Sequence, residues 1–95
     1  MIFVLNNLKY DTDKMVLISD KCEYSYTSFI FTDLCKIRGK NVKLYKSTKG
    51  RWLLTYIKDH DTVCGRAMTE KEVKDMLLVY DIEAYEKEFG ELEEA

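Results

Sequence analysis

The sequence predicts an α+β fold: a small antiparallel β-sheet built round a central hairpin over residues 42–57, followed by two C-terminal helices packed on the sheet. Two β-prone runs, residues 42–46 and 51–57, flank Ser47-Thr48-Lys49-Gly50, where Gly50 takes a positive φ at little cost at the end of a turn. Thr69 precedes Glu72 in a T-x-x-E capping box, ahead of Val73, Met76, Leu77 and Tyr80 at helical spacing. Strand-like runs fill the first two thirds of the chain and helix-like ones the last third, the order of an α+β fold. With 95 residues, two cores would each be marginal, so one domain over 1–95 is expected.

Taken in order, residues 2–5 and 15–18 are short apolar runs separated by the polar residues 6–14, and they read as an early hairpin or two nearby strands. Asp11-Thr12-Asp13 has the side chains for a turn closed by side-chain-to-backbone hydrogen bonds. Asp20-Lys21-Cys22-Glu23 reads as another turn. Residues 24–37 are β-branched and aromatic with imperfect alternation, which predicts a bulged or broken strand, against a competing short helix over 29–35. In the central hairpin, placing Lys46 opposite Arg51 pairs Tyr45 with Trp52, Leu44 with Leu53 and Val42 with Thr55. One face then carries Val42, Leu44, Leu53, Thr55 and Ile57, and the other Lys43, Tyr45, Trp52, Leu54 and Tyr56. Residues 59–67 read as a short solvated connection. Asp81 caps a second helix presenting Ile82, Tyr85 and Phe89, Gly90 ends it, and residues 91–95 fray.

Charge is segregated. Residues 34–58 hold eight cations and no acid, whereas residues 70–95 hold ten acids against Lys71, Lys74 and Lys87, a net −7. Such a division gives either an internal match between sheet and helices or two oppositely charged surfaces for partners. Cys22, Cys35 and Cys64 are an odd set with no C-x-x-C spacing, which fits reduced thiols in a cytoplasm better than a disulfide framework or a zinc site. The apolar start stops at Asn6-Asn7 with no basic lead-in, and no apolar run approaches the ~18 residues of a membrane span. The expectation is a cytoplasmic protein without a membrane partner.

No residue group organises chemistry. His60 is the single histidine, set between Asp59 and Asp61, and adjacent loop residues do not converge on one atom. Cys64-Gly65-Arg66 lacks a base for a thiolate nucleophile, and Lys49-Gly50 lacks the glycine-rich cradle of a phosphate loop. The expectation is a chain that is not an enzyme, with no catalytic residue, no metal and no cofactor.

Tyr10-Asp11-Thr12-Asp13, the aromatic segment after residue 24, and Leu44-Tyr45-Lys46-Ser47-Thr48-Lys49-Gly50-Arg51-Trp52 resemble one group of small uncharacterised proteins of phages, integrative elements and their Gram-positive hosts. Thr69-Glu70-Lys71-Glu72-Val73 and Tyr85-Glu86-Lys87-Glu88-Phe89-Gly90 extend the likeness in the same order along most of the chain. The chain departs from that pattern at Lys14-Met15-Val16 and lacks a glycine-rich insertion after the hairpin. Some proteins that look like this group act as anti-CRISPR proteins, binding a Cas effector without catalysis. The resemblance therefore implies a non-enzymatic phage or mobile-element protein that binds and inhibits a host protein, with a CRISPR–Cas effector among the partners.

For that function the expected protein-binding residues are Tyr45, Trp52 and Tyr56 as affinity groups, with Glu83, Glu86, Glu91, Glu93 and Glu94 as steering charges. The alternative is a small nucleic-acid-binding accessory or regulatory protein that contacts phosphates through Lys36, Arg38, Lys40, Lys43, Lys46, Lys49 and Arg51.

Overall fold

The computed structural model describes residues 1–95. Strands β1 (Ile2–Leu5), β2 (Leu8–Asp11), β3 (Val16–Ser19), β4 (Ser25–Ile30), β5 (Asp33–Arg38), β6 (Lys40–Lys46), β7 (Trp52–Lys58) and β8 (Thr62–Met68) precede helices α1 (Glu70–Tyr80) and α2 (Ile82–Phe89). The fold is α+β, with antiparallel sheets followed by two helices. Its central sheet has the order β3-β6-β7-β8, and β1–β2 and β4–β5 are separate two-stranded ribbons.

The β6–β7 hairpin forms where the sequence predicts it, but one residue out of the expected register. Ser47 N–H donates to Arg51 O (2.8 Å) and Gly50 N–H to Ser47 O (3.0 Å), with Gly50 at φ 80°. This is a tight turn followed by a glycine bulge, which places one more residue in the loop than a plain four-residue turn would. Lys46 therefore faces Trp52, Tyr45 faces Leu53, and Leu44 faces Leu54. Because side chains alternate, the slip moves every residue of β7 to the other face from the one expected. Trp52, Leu54 and Tyr56 join Val42 and Leu44 on the helix side, while Leu53 and Thr55 turn to the opposite side.

That opposite side is covered by β1–β2. The two apolar runs 2–5 and 15–18 do not pair with each other. Instead Asn6-Asn7, both with positive φ, turn the chain so that Ile2 faces Asp11 and Phe3 faces Tyr10, while 16–19 becomes the edge strand beside β6. Asparagine tolerates the left-handed region better than other non-glycine residues, which is why this pair can form the turn. Phe3 then lies flat on Gly65 of β8, where a Cβ would come within 2.7 Å of the ring.

Residues 59–67, expected as a solvated connection, are largely strand β8, paired with β7 from Trp52↔Met68 to Lys58↔Thr62. His60 thus sits in a hairpin turn and not before the helix. Cys64 and Gly65 are ladder residues.

On the helix side, Val73 and Leu77 of α1 are fully buried against Leu44, Leu54, Trp52 and Met68. The capping box forms as predicted: Thr69 Oγ1 accepts the Glu72 N–H at 3.2 Å and Glu72 Oε1 accepts the Thr69 N–H at 3.0 Å. Arg66 Nη2 reaches Glu72 at 2.7 Å. The hydrogen bond from the Thr69 backbone, then that from Arg66, hold the Glu72 carboxyl below the usual range. Asp81 joins the helices and ties them to β3. Its carboxylate accepts the Ser19 hydroxyl at 2.6 Å and, as cap of α2, the Ala84 N–H at 3.2 Å. Gly90, at φ 102°, ends α2.

Candidate functional site

Residues 24–37 form neither one bulged strand nor a helix. The segment breaks at Phe31-Thr32 and folds back as the β4–β5 ribbon, in register from Ser25↔Arg38 to Ile30↔Asp33. Its strands pair with each other and with no other strand, so the ribbon stands off the sheet as an arm.

The base of the arm is well anchored. Tyr24 and Tyr26 both lie against Tyr56 of β7, with ring centroids 4.8 and 5.8 Å away. Tyr24 O accepts the Gly39 N–H at 2.8 Å, and Tyr26 Oη accepts the Asp59 N–H at 3.2 Å. Glu23 and Arg38 close an ion pair across the stem. A Cβ on Gly39 would lie 3.2 Å from both Tyr24 O and the Tyr56 side chain, so a glycine permits this close approach. Burial pushes the Tyr56 phenol up, with Tyr24 adding to the effect, so its hydroxyl stays neutral.

The tip is the reverse. Phe31 is 98% exposed, Phe29 71%, Leu34 63% and Ile30 47%. Phe29 and Leu34 are cross-strand partners on one face, with Thr27 and Lys36 next along it. Phe31 holds φ 59°, a region that bulky side chains rarely adopt. A two-residue hairpin loop favours glycine or asparagine at such positions.

The expected protein-binding residues are not gathered into one surface. Trp52 is only 5% exposed, packed 5.7 Å from Phe89 and beneath Lys46. Tyr56 is part of the arm's base, and Tyr45 lies on the opposite face of the sheet from both. Glu83, Glu91, Glu93 and Glu94 are exposed on α2 and the tail beyond it, while the half-buried Glu86 accepts the Leu92 N–H at 2.9 Å. Glu91, Glu93 and Glu94 follow the end of α2 that meets Lys46, whose Nζ pairs with Glu88 at 3.2 Å, whereas Glu83 lies in the first turn of α2 beside Lys21 and Asp81. The arm leaves the sheet at the other end of β6.

The basic residues are also dispersed. Lys36 and Arg38 are on the arm and Lys40 is beside its base. Lys43 lies on the β1–β2 side and Lys46 on the helix side. Lys49 and Arg51 are exposed at the far loop. No group of three or more His, Cys, Asp or Glu side chains gathers as a metal site. Cys22, Cys35 and Cys64 are free thiols, and burial pushes the Cys22 thiol up. No helix is long and apolar enough to cross a membrane.

No family model matches the chain. Comparison with curated proteins and with solved structures likewise returns no match.

Sequence reasoning missed Phe29, Ile30, Phe31 and Leu34. The available signal was that 29–34 places apolar residues on both faces of a ribbon at once. A strand with one covered face does not need that pattern.

Proposed function

We propose that the chain is a non-enzymatic protein-binding module that docks through the tip of its β4–β5 arm and inhibits a host protein. The observation that carries this reading is the exposure of Phe29, Ile30, Phe31 and Leu34 on a ribbon whose base is held by three tyrosines. A cluster of large apolar groups in water marks a contact site, and aromatic anchors dominate the energy of such contacts. Phe31 adds a second reason. A phenylalanine kept at positive φ costs folding energy that a glycine would not, and such outliers concentrate at sites of function.

The resemblance to small phage and mobile-element proteins supports a bacterial host protein as partner, with a CRISPR–Cas effector the first to test. The exposed acids Glu83, at the start of α2, and Glu91, Glu93 and Glu94, beyond its end, would steer approach to a basic partner. Nucleic-acid binding through the basic hairpin is less well supported, because its cations are divided among the arm, both sheet faces and the far loop.

The test is inhibition of target-DNA cleavage by purified effectors, with co-elution of a stoichiometric complex. The paired variants are Phe29→Ser with Phe31→Ser and, separately, Glu83→Lys with Glu91→Lys and Glu93→Lys. Wild type should bind, the serine variant should lose binding by at least about a hundredfold, and the lysine variant should mainly slow association. A serine variant that binds and inhibits as wild type does would refute the arm as the docking element.

A further inference from the structure

At the end of the sheet away from the arm, two segments distant in sequence enclose a second surface. β2 and the helical turn Thr12–Lys14 stand on one side, and the 47–51 loop on the other, around a cleft of about 380 Å³. Lys9 and Lys14 line it from the first segment. Lys49 and Arg51 line it from the second, together with Ser47 and Thr48. Asp11 is the sole acid on the lining, and its carboxylate already accepts the Asp13 N–H at 3.1 Å.

The four cations are exposed, and none forms an ion pair. Their backbones are held in place independently of any ligand. The Asp13 N–H bond to Asp11 fixes the turn before Lys14, and the Arg51 N–H donates to Ser47 Oγ at 3.0 Å inside the loop. Accepting that bond leaves the Ser47 O–H free to donate outward. The lining therefore sets four positive groups, with Ser47 and Thr48 beside them, against the single carboxylate of Asp11, a net +3. Like charges held together repel, and an anion placed among them removes that repulsion.

We propose that this cleft binds a compact polyanion with consecutive phosphate groups, such as tripolyphosphate or the phosphate chain of a nucleoside triphosphate. Its volume falls within the usual small-ligand range of about 300–1,000 Å³. Lysine as a point charge and arginine as a bidentate fork both suit phosphate oxygens. A compact ligand fits better than a nucleic-acid strand. Lys36 is on the arm and Lys40 at the far end of β6. Between them and the cleft, Lys43 is half-buried beside β1–β2 and Lys46 is paired with Glu88, so no continuous row of free, exposed cations runs on from the cleft. Tyr10, the aromatic residue on the lining, is buried and offers no ring for base stacking. This inference does not depend on the arm.

Calorimetric titration of the full chain with tripolyphosphate, at roughly 20 mM ionic strength, tests it. Saturable one-to-one binding is expected, with amide shifts at Lys9 and Lys49–Arg51 in a parallel nuclear magnetic resonance titration. The double variants Lys9→Ala with Lys14→Ala, and Lys49→Ala with Arg51→Ala, should each weaken binding by at least about tenfold. Lys36→Ala with Lys40→Ala should leave it within about twofold. Melting curves check that these surface changes leave the fold intact. No binding at about 1 mM tripolyphosphate would overturn the proposal. So would equal weakening by the control pair, which would mean diffuse attraction only. A single-stranded oligonucleotide whose affinity keeps rising with length would overturn the compact-ligand reading in favour of a nucleic acid.

Discussion

Leu77 and Leu34 are the same residue type in opposite circumstances. Leu77 projects from α1 into the seam between helices and sheet and is fully buried, whereas Leu34 projects from the arm and is 63% exposed. The seam is held by many apolar contacts converging on one layer. The arm is held at its base, by Tyr24, Tyr26 and Tyr56, and the apolar side chains of its tip are exposed. An isolated two-stranded ribbon is marginal in water. Apolar character in the seam is thus used up in folding, while at the tip it remains available for a partner.

The largest expected effect comes from making one substitution in both regions. Leu77→Ala should lower stability by about 2–5 kcal/mol, because a fully buried side chain leaves a cavity the seam only partly closes. Leu34→Ala should change it by less than about 0.5 kcal/mol. Urea denaturation of the two variants checks this, and equal losses would mean the arm packs on the domain more closely than its exposure indicates.

The covering of the opposite sheet face can be tested at Gly65, where the Phe3 ring leaves no room for a Cβ. Gly65→Ala should cost about 1–3 kcal/mol by overpacking. In Phe3→Ala the same change should cost much less, so a double-mutant cycle should return a coupling of the order of 1 kcal/mol. Additive losses would show that the β1–β2 ribbon is not seated there.

Asp81 gives a smaller, pH-dependent effect. Burial pushes its carboxyl up, but the Ser19 and Ala84 hydrogen bonds and the charge of Lys21 outweigh that and hold it below the ordinary value of 3.8. A carboxyl depressed in the folded state stabilises above its unfolded pKa, and that stability is lost as pH falls through the folded pKa. Asp81→Ala should cost about 1–2 kcal/mol at neutral pH. Its deficit relative to wild type should shrink below about pH 4, where the wild-type group protonates. A deficit unchanged from pH 7 to pH 2 would locate the loss in packing and not in the charge.

Local signals made much of the fold legible in the sequence. The capping box at Thr69 and Glu72, the cap at Asp81 and the stop at Gly90 are each decided within a few residues and are found. Of the helical stripe, Val73 and Leu77 are buried and Met76 half-buried, while Tyr80, at the end of α1, is left exposed. What depended on partners distant in sequence was not legible. The glycine bulge at Gly50 adds one residue to the loop, and that residue decided which face Trp52 occupies. Strand β8 carries Gly65 and Arg66 and reads as a loop until Phe3, sixty-two positions away, is seen to fill the space over the glycine. The expected aromatic patch failed for the same reason, since Tyr45, Trp52 and Tyr56 share a face only in the wrong register. Lys9 and Lys14 could not be joined to Lys49 and Arg51 without the approach of β2 to the far loop.

The smallest expected effect on stability is also the sharpest test of the arm. Phe31 keeps φ 59° with its ring in water, so its side chain contributes no burial to offset the strain of that backbone conformation. Glycine adopts the same conformation without a Cβ clash, though it also gives the unfolded chain more freedom to lose. Phe31→Gly should therefore range from neutral to about 1 kcal/mol more stable, measured by chemical denaturation. If the tip docks a partner, the same variant should bind it at least about tenfold more weakly, because an aromatic anchor has been removed. A residue whose replacement improves the fold and impairs binding is there for the partner. If Phe31→Gly instead destabilises the chain by 1 kcal/mol or more, the ring makes a contact within the domain, and the division between a folded seam and an unpartnered arm fails.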